Sequence, residues 1–364
     1  MIINSFLGIH NTSPDRSIPD NALADAIDVI VNDMGNVIQR DGYTQSLALS
    51  NTTSYQTLDG VTYIISSGTL YRINDDLSLA SICSSTATEF ADFSRFLFTN
   101  DGWVIHESTV SNIKIPTPDN EPEIIITGGI KPAGLYTIVY TYVNADGVEG
   151  GISPSVTINL DTVGDILVYP RDLDGYTTNV YMTDADGEVL YKRGTRYVIK
   201  PILNANSFPD NVEHLEYWHE CLYVSVPFGD YTLVFYSKPN HYHLYDYNER
   251  YFIIPGHIEA IKSVNEGIII CTNAEIYLYD GSNLSKLANY GVVAGRPIVK
   301  QSDGSLLIYT QRGVCSALPF TELTQNKVSI SMGQQCHTAI MHKQGVKQFI
   351  ALHDNSGGIF NKFI

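Results

Sequence analysis

Three groups of side chains in this sequence have types and spacings from which a chemical site could be built. His241 and His243, in the run NHYHLYD, alternate onto one face of a strand and could ligate a metal together with His214 or His219. Histidines set singly among tyrosines also serve as packed or hydrogen-bonded strand residues, and no acidic partner stands at fixed spacing to them. Asn144, Asp146, Asp184 and Asp186 offer the oxygen ligands that calcium takes. Each of these two pairs precedes a glycine, as tight-turn chemistry requires, and no glutamate stands where a calcium loop needs one. The carboxylate pairs Asp75 with Asp76 and Glu213 with Glu216 are of the kind that glycosidases use as acid and base. Among 39 acidic residues such neighbours arise by chance.

The densest cluster is aromatic: Tyr217, Trp218, Tyr223, Tyr231, Phe235, Tyr236, Tyr242, Tyr245, Tyr247, Tyr251 and Phe252. Such a stripe can be sheet core, an oligomer interface or a platform on which sugars stack, and core with part of it at an interface is the expectation. The sequence contains no GxxxxGKS/T, GxGxxG, HExxH, GxSxG or complete calcium-loop pattern. No catalytic residue, cofactor-binding residue or metal ligand is therefore assigned, and the chain is expected not to be an enzyme.

The elements that would carry these residues are strands. One stretch alone has helical spacing, residues 19 to 34, with Leu23, Ile27, Ile30 and Val31 on one face and Pro19 in the first turn. From Gly35 onward short apolar runs alternate with turn residues. A unit of strand, polar turn, strand, turn and strand recurs at 60 to 82, 94 to 115, 220 to 246, 266 to 288 and 304 to 330. A four-stranded antiparallel blade needs such a unit, so the reading is all-β: a β-propeller of roughly five to seven blades. A β-sandwich is the alternative.

Residues 120 to 205 differ. A polar, proline-containing stretch, PTPDNEPE, leads into long hairpins around Asp146-Gly147 and Asp186-Gly187, which suit an inserted fibronectin- or immunoglobulin-like sandwich. The expected organisation is an N-terminal segment over 1–50 with its short helix, propeller blades over 51–119, the inserted domain over 120–205, and further blades over 206–364.

A formal net charge of −17 argues against a phosphate-gripping surface, because such surfaces work by neutralising phosphates with lysine and arginine. Five cysteines, Cys83, Cys221, Cys271, Cys315 and Cys336, lie far apart with no CxxC, which suits free thiols better than a disulfide framework or zinc site. The first residues lack the basic and apolar regions of a secretion signal, and no run of about 18 apolar residues occurs, so a cytoplasmic origin without a membrane span is expected.

Two regions resemble a known family. In IPDNALADAIDVIVNDMGNVIQRDGY the residues Pro19, Leu23, Ala26, Asp33, Gly35, Arg40, Gly42 and Tyr43 stand as in propeller-type bacteriophage tail proteins, which include the nozzle, or tail tubular, proteins of short-tailed phages. Between 214 and 340 the runs HLEYWHECLYVSV, YSKPNHYHLYD, IEAIKSVNEGIIICTNAEIYLYDG and SLLIYTQRGVCSA follow in that family's order. The resemblance implies a virion protein made in the host cytoplasm: a tail nozzle or hub component. It implies a homo-oligomer, a ring of about six copies, around the DNA-ejection channel. Its partners would be the phage adaptor, other tail proteins and tail fibres, with DNA passing the lumen without specific binding. A receptor- or glycan-binding propeller module of the tail is the alternative.

Overall fold

The computed structural model describes residues 29–31, 37–39, 49, 52–57, 59–106, 109–194, 199–301, 303–324, 335–343 and 346–353. Among them there is no helix. Strands follow one another as antiparallel meanders, and the first four-stranded sheet runs Thr52–Gln56, Thr62–Ser66, Thr69–Ile73 and Leu79–Ser84 in chain order. Its central turn has two residues, Ser67 and Gly68, both at positive φ (50° and 78°). That pair of values makes a primed turn, whose twist matches that of paired strands.

The same meander repeats. Sheet two is Phe90–Phe93, Phe96–Thr99, Trp103–His106 and Thr109–Asn112. Sheet three is His214–Trp218, Cys221–Phe228 and Tyr231–Lys238, whose outer edge is shared by His241–Tyr245 and Tyr251–Pro255. Sheet four is Ile258–Val264, Gly267–Thr272, Ile276–Tyr279 and Leu284–Ala288. Sheet five is Ile298–Lys300, Leu306–Thr310, Gly313–Ser316 and Thr321–Glu322. Sheet six pairs Cys336–Lys343 with Val346–His353, and Gly295–Arg296 lies parallel to the first of these.

Sheets consecutive in this order pack face to face. Leu70, Phe90 and Leu97 join sheets one and two; Phe98 and Leu222 join two and three; Ile254 and Ile268 join three and four. Ile269 and Ile308 join four and five, and Tyr309 and Phe349 join five and six. The strand Gly267–Thr272, GIIICT, is therefore buried at all six positions, and such uninterrupted apolar runs mark strands covered on both faces. The outer strand Leu284–Ala288 is largely exposed. First strands stand side by side, Phe90–Phe93 against His214–Trp218 and His214–Trp218 against Ile258–Val264. The circuit closes through Arg296, whose guanidinium donates to the carbonyls of Ser54 (2.5 Å) and Thr88 (2.8 Å) at the start of the chain. This is an all-β, propeller-like arrangement.

Between sheets two and three the chain builds a separate pair of sheets. Glu123–Lys131 pairs with Gly164–Tyr169, and this ribbon packs on a five-stranded sheet centred on Gly134–Val143. Tyr136, Ile138, Leu160, Ile166 and Met182 fill the space between them. The unit sits tightly on the ring. A Cβ on Gly150 would lie 2.8 Å from Ile115 Cγ2, and His243 Nε2 donates to the Glu149 carbonyl (3.1 Å).

The helix expected over residues 19 to 34 is corrected where it is described: Val29–Val31 is a strand, paired antiparallel with Val37–Gln39. Three consecutive β-branched residues, Val29, Ile30 and Val31, favour an extended chain, and Gly35 stands between the two strands. The remainder of that stretch lies outside the described residues.

Candidate functional site

The side chains singled out by type are used up by the fold. Asn144 Oδ1 accepts from the Asp146 and Val148 amides (3.1 and 2.9 Å) and holds its own turn, whereas Asp186 Oδ1 accepts from the Leu135 amide (2.9 Å) and ties its turn to the start of Gly134–Val143. Asp76 accepts from the Ser78 amide in an exposed turn, and hydrogen bonding from the Ser78 side chain, then from that amide, holds its carboxyl below the ordinary aspartate value. Of the four histidines, the rings of His241 and His243 stand 6.0 Å apart, and each of the four is engaged separately. His214 bonds the Ile258 carbonyl, His219 stacks on Trp218, His241 bonds the Pro239 carbonyl and His243 reaches Glu149. Among the described residues no group of three or more His, Cys, Asp or Glu is arranged to hold a metal ion. Four of the cysteines are buried, Cys83 is half-buried, and all five are free.

Glu213 and Glu216 do not form an acid–base pair. Glu213 faces His257 (3.3 Å), whereas Glu216 turns into the middle of the ring. There it accepts from Lys262 Nζ (2.9 Å) and from Ser263 Oγ (2.6 Å). The Lys262 ammonium also lies 5.8 Å from the centre of the Tyr55 ring, and the Tyr55 hydroxyl donates to Asp92 (2.5 Å). Arg296 completes the group, 3.9 Å from Glu89. Burial works against the Lys262 charge, but the carboxylates of Glu216, Glu89 and Asp92 outweigh it and hold the ammonium above the ordinary lysine range. Burial, reinforced by Asp92, raises the Tyr55 phenol well above its usual value. Strands from sheets one to four and Gly295–Arg296 thus meet in a cross-braced group of charges. With cations answered by carboxylates, it braces the ring; it does not present an activated nucleophile or base.

The aromatic stripe divides. Trp218, Tyr223, Phe235 and Tyr245 are buried between sheets, while Tyr231 and Tyr251 are exposed. The exposed part is an overhang. The two central strands of sheet three have eight residues each, against four in the strands of sheet two that cover them. At ~3.3 Å per residue the longer strands outrun their neighbour by roughly 13 Å. The uncovered end is a depression of about 360 Å³ lined by Phe228, Tyr231, Leu233, Phe235, Tyr251 and Ile253, with Tyr247 at its side. Phe228 is 68% exposed and Ile253 49%. The Tyr247 hydroxyl is engaged with the Ser207 carbonyl (2.7 Å), so the lining has few free polar groups. Sugar recognition needs hydrogen-bond partners for hydroxyls; this surface suits an apolar occupant.

No protein-family model and no curated protein matches the chain. Solved structures with a similar course of the chain include Kluyveromyces lactis Hsv2, at 9% identity and a TM-score of 0.31 over 83% of this chain and 90% of that one. The Dos1 propeller is similar at 11% identity and a TM-score of 0.33, over 89% and 79% of the two chains. The extracellular domain of BT4673 from B. thetaiotaomicron is similar at 14% identity and a TM-score of 0.29, over 90% of this chain and 49% of that one. At these scores the likeness carries no argument, and the assignment of the fold rests on the strand order described above.

Proposed function

We propose that this chain is a structural, non-enzymatic virion protein: a nozzle or hub component of a bacteriophage tail, built as a propeller with an immunoglobulin-like sandwich inserted over residues 120 to 205. In this reading the six successive sheets are its blades. Copies assemble into a ring, contact the adaptor and neighbouring tail proteins, and enclose the channel through which DNA leaves.

One observation carries the reading furthest. The ring of sheets is filled at its middle by Tyr55, Lys262, Glu216 and Arg296, so a duplex cannot pass through a single copy, and any conduit must lie between copies. A net charge of −17 suits such a wall, since like charge lets DNA slide where basic side chains would hold it. The sequence resemblance adds the phage context.

The test is a cryo-electron microscopy reconstruction of particles encoding this protein. Copies arranged around an acidic channel in the tail are the expected result; absence of the chain from the tail refutes the proposal. Binding of the isolated chain to defined glycans through Tyr231 and Tyr251 would favour a receptor-binding module.

A further inference from the structure

We infer that the aromatic overhang of sheet three receives the outer face of the inserted unit of the next copy, with Ile130 as the projecting side chain. The inference deepens the ring reading above and rests on it.

The chain carries a second uncovered apolar surface. In the ribbon Glu123–Lys131 with Gly164–Tyr169, Ile125 faces Leu167 and Glu123 faces Tyr169 across the strands. Ile125, Leu167 and Tyr169 share the face turned away from the unit's own core and are 52%, 42% and 49% exposed. The ribbon's register slips between Thr127 and Lys131, where a Cβ on Gly129 would sit 2.3 Å from that of Asp165. The bulge carries Ile130 outward until it is 92% exposed. A β-branched aliphatic side chain held this far into water by a bulge between paired positions of a strand is a knob without a hole.

The hole is on the other unit. At about 200 Å² for a whole aromatic or large aliphatic side chain, Phe228, Tyr231, Tyr251 and Ile253 leave roughly 400 Å² of apolar surface in water, and the ribbon face leaves a similar area. Patches of that size on one chain mark contact sites, and together they supply the apolar centre of a standard interface. One is a depression lined largely by aromatic side chains, the other a ribbon face from which Ile130 projects, and they lie on different sheets. Two unlike, complementary patches on identical copies make a head-to-tail contact, the kind that generates rings. A self-matching patch would instead give a closed pair.

The test uses the full chain in a Cys83→Ser background, which leaves the buried native thiols. One preparation carries Ile130→Cys and the other Ile253→Cys; they are mixed, allowed to assemble and mildly oxidised. A covalent dimer in the mixture, absent when either variant is oxidised alone, is the expected result. In parallel, Ile130→Asp and Phe228→Asp should each appear as monomers by mass photometry where the unmodified chain assembles, with unchanged melting temperature. Assemblies of undiminished size in both aspartate variants, without the cross-link, would overturn this contact and leave the ring standing. An unmodified chain that stays monomeric at every concentration, and is missing from the tail, would remove the ring reading along with it.

Discussion

Replacing Lys262 by methionine tests whether the charges at the middle of the ring hold the sheets together. The substitution keeps the length and much of the volume of the side chain but removes the ammonium that lies 2.9 Å from Glu216. The Glu216 side chain is 9% exposed and retains only the Ser263 hydroxyl as a direct partner, so its charge is left largely uncompensated. Removing one partner of a buried ion pair costs about 3 kcal/mol or more. At ~2 °C per kcal/mol for a large domain, the melting temperature should fall by about 6 °C. The double variant Lys262→Met with Glu216→Leu removes both charges and should recover most of the loss, because an apolar pair of similar volume replaces a buried salt bridge at little cost. Circular dichroism melts of the single and double variants form a cycle whose coupling should be about 2 kcal/mol. The pH dependence has a definite sign. A lysine whose value is raised by folding contributes its full stability below the unfolded value of 10.5 and loses it as pH climbs through the folded value. The unmodified chain should therefore show an alkaline loss of stability above that point that the methionine variant lacks. A single variant as stable as the parent, or a double variant no better than the single, would refute the bracing role.

Three further expectations follow from local geometry. Gly151→Ala places a methyl group 2.0 Å from the Ala205 carbonyl oxygen and should cost about 3 kcal/mol, seen as a lowered melting temperature and faster proteolysis near residue 205; Gly128→Ala, where a Cβ meets nothing within 4 Å, is the control. Burial lowers His243 to about 4, and its Nδ1 has no partner among the described residues, so folding favours the neutral ring. The stability this confers is complete above the ordinary value of 6.5 and declines as pH falls from there toward 4; histidine NMR should show that ring titrating well below the ordinary value, and His243→Asn should flatten the acid limb. Burial raises all five thiols, but only Cys83 is partly exposed, so a thiol reagent should modify Cys83 alone in the native protein and all five after unfolding.

The strands were legible because each carries its own evidence. A run such as GIIICT between turn residues reads as a covered strand wherever it occurs, and the Asp146-Gly147 hairpin announces itself in five residues. Residues 29 to 31 misled because Ile27, Ile30 and Val31 satisfy helical spacing while three adjacent β-branched side chains favour a strand; a spacing count ignores that preference. The braced charges were illegible for a different reason. Tyr55, Asp92, Glu216, Lys262 and Arg296 are spread over five elements, and only closure of the ring brings them together. Glu216 drew notice as a neighbour of Glu213, yet strand alternation sends the two carboxylates, three residues apart, to different partners. Nothing local distinguishes a lysine that will be braced by four sheets from one on a solvated face.

The aromatic stripe shows why a sequence can mark a surface without locating it. Phe235 and Tyr231 lie four residues apart on one strand, and hence on one face of the sheet, yet one is buried and the other half in water. What separates them is the length of the neighbouring sheet: four-residue strands cover the base of sheet three and stop, so Phe228, Tyr231 and Ile253 continue the core pattern past the end of the core. Solubility alone would favour polar residues there, such as Ser285 and Lys286 on the exposed outer strand Leu284–Ala288. Keeping the apolar alternation beyond its cover makes sense where a second surface arrives to complete it, and a protein whose task is assembly would keep its core pattern running to the edge where the next copy docks.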